Sequence, residues 1–212
     1  MIDIFDLRRE FTLKTLDEKD VKENPLDQFE KWFKDAIEAK VPEPNAMALA
    51  TVGFDLKPSC RIVLLKQVKT DGFIFFSNYK SRKGQQISEN PYCALTFAWY
   101  ELERQIRIEG NIEKLSPTDS DTYFESRPTA SKLGAWASPQ SQPIQDRAYL
   151  EALIENYETE FAHKEIKRPN DWGGYLVRPH KIEFWQGRQN RLHDRIQYDL
   201  VNKRWIIKRI AP

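Results

Sequence analysis

Four short runs group side chains that could do chemistry together, and each of them contains at least two cations. Arg61-Ile62-Val63-Leu64-Leu65-Lys66 is an apolar run with a cation at each end. It suits an anion gripped from both ends, or equally a buried strand whose end charges reach solvent. Strand side chains alternate, so Arg61 and Lys66 should face opposite ways unless a bulge re-aims one or they serve different parts of a site. Ser77-Asn78-Tyr79-Lys80-Ser81-Arg82-Lys83-Gly84 follows a β-rich run and opens a helical pattern. Its hydroxyls, two cation types and helix N-terminal amides match a phosphate dianion in charge and donor count, although a solvated basic turn would use the same residues. In Arg104-Gln105-Ile106-Arg107-Ile108-Glu109 isoleucines alternate with polar residues. That polar face meets water or supplies an amide to a heterocycle. The densest run, Glu183 to Arg195, places Arg188, Arg191, His193, Asp194 and Arg195 behind Trp185, which reads as a site for an anion and a ring or as an exposed charged hairpin.

Other chemistries lack their residues. His163, His180 and His193 are far apart, with no cysteine or acid completing a metal-ligand spacing, so no metal is expected. GxGxxG, GxxxxGK[ST] and GxSxG are all absent, and with them the usual dinucleotide, P-loop and serine-hydrolase signatures. A bound phosphate must therefore be held largely by side chains.

The elements that position these runs are legible from periodicity. Asn24-Pro25 reads as an N-cap and first helical residue, and Leu26, Phe29, Phe33, Ala36 and Ile37 give an amphipathic helix to Lys40. Residues 46–52, 60–68, 72–77, 92–99 and 104–115 are β-rich runs, interrupted by a helix over 81–89 that ends at Asn90-Pro91. Ser116-Pro117-Thr118-Asp119 opens a helix to about Ser126, and another follows Pro143 with an apolar stripe of Ile144, Ala148, Leu153, Ile154, Tyr157 and Phe161. Between them residues 127–142 read as an irregular, function-bearing connection. Strands are expected at 173–177, 181–186 and 205–210, with 192–199 as a further candidate. So many short sequential strands favour a closed barrel with flanking helices over an open sheet, because closure removes exposed edges.

Composition sets the context. In 212 residues, 33 Lys and Arg balance 32 Asp and Glu, which gives no global field to recruit nucleic acid or an anionic membrane. The length suits one domain, 1–212, with an N-terminal helical segment over 1–45. Cys60 and Cys93 both lie in apolar runs that read as buried strands, as reduced cysteines would. No secretory leader pattern and no bilayer-length apolar run is visible, so the expectation is a cytoplasmic protein.

The run RLHDR (191–195) after EFWQG (183–187) resembles the C-terminal signature of the pyridoxamine 5′-phosphate oxidase family. LRRE (7–10), RIVLLK (61–66), SRKG (81–84), RQIRIEG (104–110), ESRP (125–128), GAW (134–136) and the terminal IAP are similar to that family in the same order, over nearly the whole chain. The resemblance implies an FMN-binding split β-barrel, mainly β with flanking helices, assembled as a homodimer with FMN at the interface. It implies oxidation of pyridoxamine and pyridoxine 5′-phosphates to pyridoxal 5′-phosphate, with O2 as acceptor, and neither nucleic acid nor membrane as partner. Carried onto this sequence, FMN would meet Arg61, Ile62, Val63, Leu64, Leu65, Lys66, Phe76, Ser77, Arg82, Lys83, Gln105, Gln140, Ser141, Trp185 and Arg195. The substrate would meet Lys66, Tyr123, Arg127 and Ser131 at its phosphate, and Arg191, Leu192 and His193 near its ring, with Arg191 and His193 as the catalytic pair. Arg8, Arg9, Glu10 and Phe11 would form a lid; Phe11 stands where the family usually has an aromatic with a hydroxyl. Split-barrel reductases that use a nicotinamide cofactor, and non-catalytic flavin or vitamer carriers, share the general pattern. Tyr123, Arg127, Ser131 and RLHDR argue against the reductases and the flavin binders, whereas a non-catalytic vitamer carrier would be marked by tight vitamer binding without flavin reduction.

Overall fold

The computed structural model describes residues 2–6 and 9–212. Its centre is one antiparallel sheet of nine strands: β1 (Ala46–Val52), β2 (Pro58–Leu64), β3 (Gln67–Lys69), β4 (Gly72–Asn78), β5 (Tyr92–Trp99), β6 (Arg104–Lys114), β7 (Trp172–Gln186), β8 (Asp194–Val201) and β9 (Arg204–Arg209). Spatial order is β2-β1-β5-β6-β7-β4-β3, with β8 joining β7 and β9 joining β8. Long β7 is the spine: β4 pairs with its first half and β8 with its second, so the sheet splits along it.

Two expected strands, 173–177 and 181–186, are thus one. The intervening Pro179 has no N–H to give a ladder, and it lies between the last β4 partner, Val177, and the first β8 partner, Lys181. The register shift at Glu109/Gly110 of β6 falls opposite the same stretch. The expected strand 60–68 is instead two: β2 ends at Leu64, after which the Lys66 N–H donates to the Ile74 carbonyl. Parity therefore does not apply across the break, which is how Arg61 and Lys66 come to line one pocket.

Among the described residues five α-helices flank the sheet: α1 (Pro25–Glu38), α2 (Arg82–Glu89), α3 (Pro117–Glu125), α4 (Thr129–Ala137) and α5 (Arg147–Glu160). Asn24, Ser81, Ser116 and Asp146 each cap a helix by accepting a backbone N–H. The 127–142 connection is not wholly irregular, since it holds α4. α5 starts at Arg147, where Asp146 supplies the cap that Pro143 cannot. None of its residues is buried, and its expected stripe is only half-covered, Tyr157 and Phe161 packing on Trp136 of α4.

The core follows from alternation. Met47, Leu49, Phe73, Phe75, Leu95, Phe97, Ile106, Ile108, Ile182, Phe184, Ile196 and Tyr198 all point inward and are buried. α1 plugs this interior with Phe29, whose ring centroid lies 4.9 Å from Phe73 and 5.1 Å from Phe97, and with Trp32, 5.2 Å from Phe184. Each such side chain contributes about 1.5–3 kcal/mol over its exposed state. Of the two cysteines Cys93 is buried and Cys60 exposed, because β2 is a sheet edge whose outward residues are not covered by any of the described residues. Among the described residues no helix is long and apolar enough to cross a membrane, and no cluster of His, Cys, Asp and Glu could hold a metal ion.

Candidate active site

A pocket of about 500 Å³ opens beside β2, between the end of β4 and the start of α4. Its wall contains Arg61, Ile62, Val63, Leu64, Lys66, Phe76, Ser77, Lys83, Gln140, Tyr123, Arg127 and Ser131, joined by Pro128 and Trp172. Four of these are cations and none is an acid. Among the described residues no carboxylate lies within ion-pair distance of Arg61, Lys66, Lys83 or Arg127.

The cations are placed by neutral groups. Arg61 Nη1 donates to the Leu49 carbonyl at 3.1 Å and Thr51 Oγ1 at 2.6 Å, and its Nη2 to Ser59 Oγ at 2.5 Å. Both hydroxyls in turn donate to Gln86 Oε1 on α2, which anchors the fork from behind. Lys83, buried in the first turn of α2, donates to Ser77 Oγ (3.1 Å), Ser81 Oγ (3.3 Å) and Gln140 Oε1 (2.9 Å). Burial, then the Arg61 charge, pulls its ammonium down to about 8. Gly84 lets this helix start so close to the chain, since a Cβ there would fall 2.1 Å from the Tyr79 carbonyl oxygen. Arg127 Nη1 is buried with no partner, and burial lowers its guanidinium too. Unpaired buried cations cost free energy unless an anion arrives. The donor set fits phosphate.

A second group lies at the far end of β7. Trp185 faces Gln105 on β6 and Arg195 on β8. Its ring lies 4.6 Å from His193 and 5.7 Å from Phe11, which also meets His193 at 5.7 Å. Phe11 comes this close because residue 187 is glycine: a Cβ there would stand 2.7 Å from Phe11 Cγ. The Arg188 N–H donates to His193 Nδ1 at 3.1 Å, so the neutral ring carries its proton on Nε2. Burial, then the Arg191 charge, lowers the imidazole's pKa and favours that neutral form. Arg191, with φ 61, and Asn190, with φ 55, are consecutive non-glycine residues in the left-handed region, a strained turn costing about 1–3 kcal/mol per residue. Arg195 forks onto Glu183, both bonds 2.9 Å. Glu103, buried behind the turn before β6, receives the Leu13 N–H at 3.0 Å and Arg9 at 3.4 Å, which ties the N-terminal segment across this group.

The structure thus gathers the sequence-predicted residues into two groups and does not bring the groups together. Phe76 pairs with Gly174 and Gln105 with Trp185, eleven residues apart on β7, or about 36 Å of strand. Leu65 belongs to neither: its side chain is in the core, and its N–H and carbonyl both bond Asn45. Arg82 and Ser141 are exposed beside the first group, and Glu10, Arg191 and Leu192 are exposed near the second. Arg8 lies outside the described residues. Sequence reasoning missed Trp172, Pro128, Gln86 and Glu103, since each resembles an ordinary core, turn or surface residue until its neighbours are known.

Fold and pocket together define a split β-barrel protein with a cation-lined pocket that contains no acid. Residues 33–160 match the family model described as pyridoxamine 5′-phosphate oxidase, and residues 172–212 match the pyridoxine 5′-phosphate oxidase C-terminal dimerisation region. The chain belongs to the pyridoxamine 5′-phosphate oxidase family. It is 53% identical to a pyridoxine/pyridoxamine 5′-phosphate oxidase of Cyanothece sp. over 211 residues, covering 100% of this chain and 99% of the relative. A namesake from Aliarcobacter butzleri is also 53% identical, over 212 residues and 100% of both chains. Among solved structures, PhzG of Burkholderia lata, in complex with tetrahydrophenazine-1-carboxylic acid, aligns with a TM-score of 0.89 at 29% identity, covering 94% of this chain and 99% of that one.

Proposed function

We propose that this protein is an FMN-dependent oxidase that converts pyridoxamine and pyridoxine 5′-phosphates to pyridoxal 5′-phosphate, using O2 and releasing H2O2, with ammonia from the amine. The observation that carries the reading is the convergence of Arg61, Lys66, Lys83 and Arg127 on one pocket without an acid. Full-length relatives of that name support it. FMN, when bound, would supply the hydride acceptor and the reaction with oxygen. Arg61, Ser77, Lys83 and Gln140 would hold its phosphate, with Lys66, Tyr123, Arg127 and Ser131 for the substrate's phosphate.

The second group has the complementary equipment. His193 presents Nε2–H, the Trp185 ring offers an apolar surface, and Gln105 supplies an amide. Because one chain holds the groups apart, the reading requires two chains, each giving its β7–β8 end to the other's phosphate pocket; the matched dimerisation region supports this arrangement. The apolar, exposed Ile62 and Leu64 of β2 are then the surface a partner covers.

An anaerobic visible spectrum of the FMN-loaded protein tests the reading. Adding pyridoxamine 5′-phosphate should bleach the flavin band, and air should restore it. A band that stays yellow points to a reductase or carrier instead.

A further inference from the structure

Arg127 is the one pocket cation held chiefly by aromatic rings. Its guanidinium carbon stands 4.5 Å over the Trp172 ring and 5.5 Å from that of Phe124, while its buried Nη1 has no hydrogen-bond partner. Trp172 is itself 7% exposed and lies in a parallel stack: its ring is 5.5 Å from Phe76 at 14°, and Phe76 is 3.7 Å from Tyr123 at 15°. The stack is fastened from behind. Arg168 donates to the Trp172 carbonyl and to Asp121 of α3, each at 2.6 Å, which clamps the start of β7 to the helix that carries Tyr123.

We infer that Trp172 is a positioning residue for the substrate phosphate, holding Arg127 by its π face so that the guanidinium keeps its full charge and free donors. A carboxylate in that place would orient Arg127 equally well, but it would neutralise the cation and compete with the incoming phosphate. An aromatic face attracts the cation without occupying its N–H groups. The inference rests on the reading that Arg127 meets the substrate phosphate.

The test compares binding of 4-deoxypyridoxine 5′-phosphate, which has no oxidisable 4′ group, with its dephosphorylated form, by calorimetry on the FMN-loaded protein. Trp172→Leu should weaken the phosphorylated probe about tenfold to thirtyfold and leave the other unchanged, and Trp172→Phe should weaken it about threefold. In an Arg127→Ala background Trp172→Leu should add nothing, because its route of action is gone. Equal affinity of wild type and Trp172→Leu for the phosphorylated probe would overturn the inference, as would an equal loss for both probes. If the leucine variant does not fold, the phenylalanine variant decides by the same criterion. A wild-type protein that fails to distinguish the two probes would instead refute the assignment of Arg127 to the substrate phosphate.

Discussion

Replacing Lys83 with methionine should weaken FMN binding and stabilise the unliganded protein at once. The ammonium is buried among Ser77, Ser81 and Gln140, with only neutral partners. Its pKa of about 8 against an ordinary 10.5 means that the charged form carries a cost of about 1–3 kcal/mol once residual solvent screening is allowed for. Methionine keeps the alkyl volume and removes that cost, so the unliganded variant should gain about 1–3 kcal/mol at pH 7. A charge-assisted bond to phosphate is worth about 1.5–3 kcal/mol, so FMN should bind about tenfold to 150-fold more weakly. The pH dependence follows with its sign. Between about pH 8 and 10.5 the unfolded chain holds a proton that the folded one has lost, so unliganded stability rises across that window. FMN affinity does the opposite: above about pH 8 binding must restore the proton, and it should fall about tenfold per pH unit in the wild type and stay flat in the variant. Flavin fluorescence titrations from pH 6.5 to 9.5 and scanning calorimetry of both proteins measure all of this. A Lys83→Met protein that is less stable yet binds FMN like the wild type would refute the reasoning.

Arg191→Leu should lower kcat about a hundredfold while FMN affinity changes less than about threefold, and steady-state kinetics beside flavin titration will show whether the two separate. If each site draws on two chains, refolding a mixture of inactive Arg127→Ala and Arg191→Leu proteins should recover about a quarter of wild-type activity, because half the dimers are mixed and one of their two sites is intact. No recovery would mean that both residues act within one chain. Phe29→Ala, at the centre of the α1 plug, should cost about 3–5 kcal/mol in urea unfolding.

Much of the molecule was legible in the sequence because its signals are local. β1 and β5 appear with the expected bounds, since alternation and turn residues mark them, and Asn24, Ser81 and Ser116 cap the helices they open. Residue order also carried the family resemblance, and with it most of the pocket. Other features depend on partners distant in the chain. Pro179 continues a strand only because the sheet changes neighbours there, and Cys60 is exposed only because β2 is an edge. The run around Lys83 suits an anion site or a solvated turn equally, and only the packing of Ser77 and Gln140 around the ammonium shows it buried, while Trp172 carries no chemical signal until Arg127 lies on its face. Sequence alone determined which side chains were available and which elements would present them. Tertiary structure decided which cations lost both water and counter-charge, because burial and pairing belong to the packed chain and not to any one segment of it.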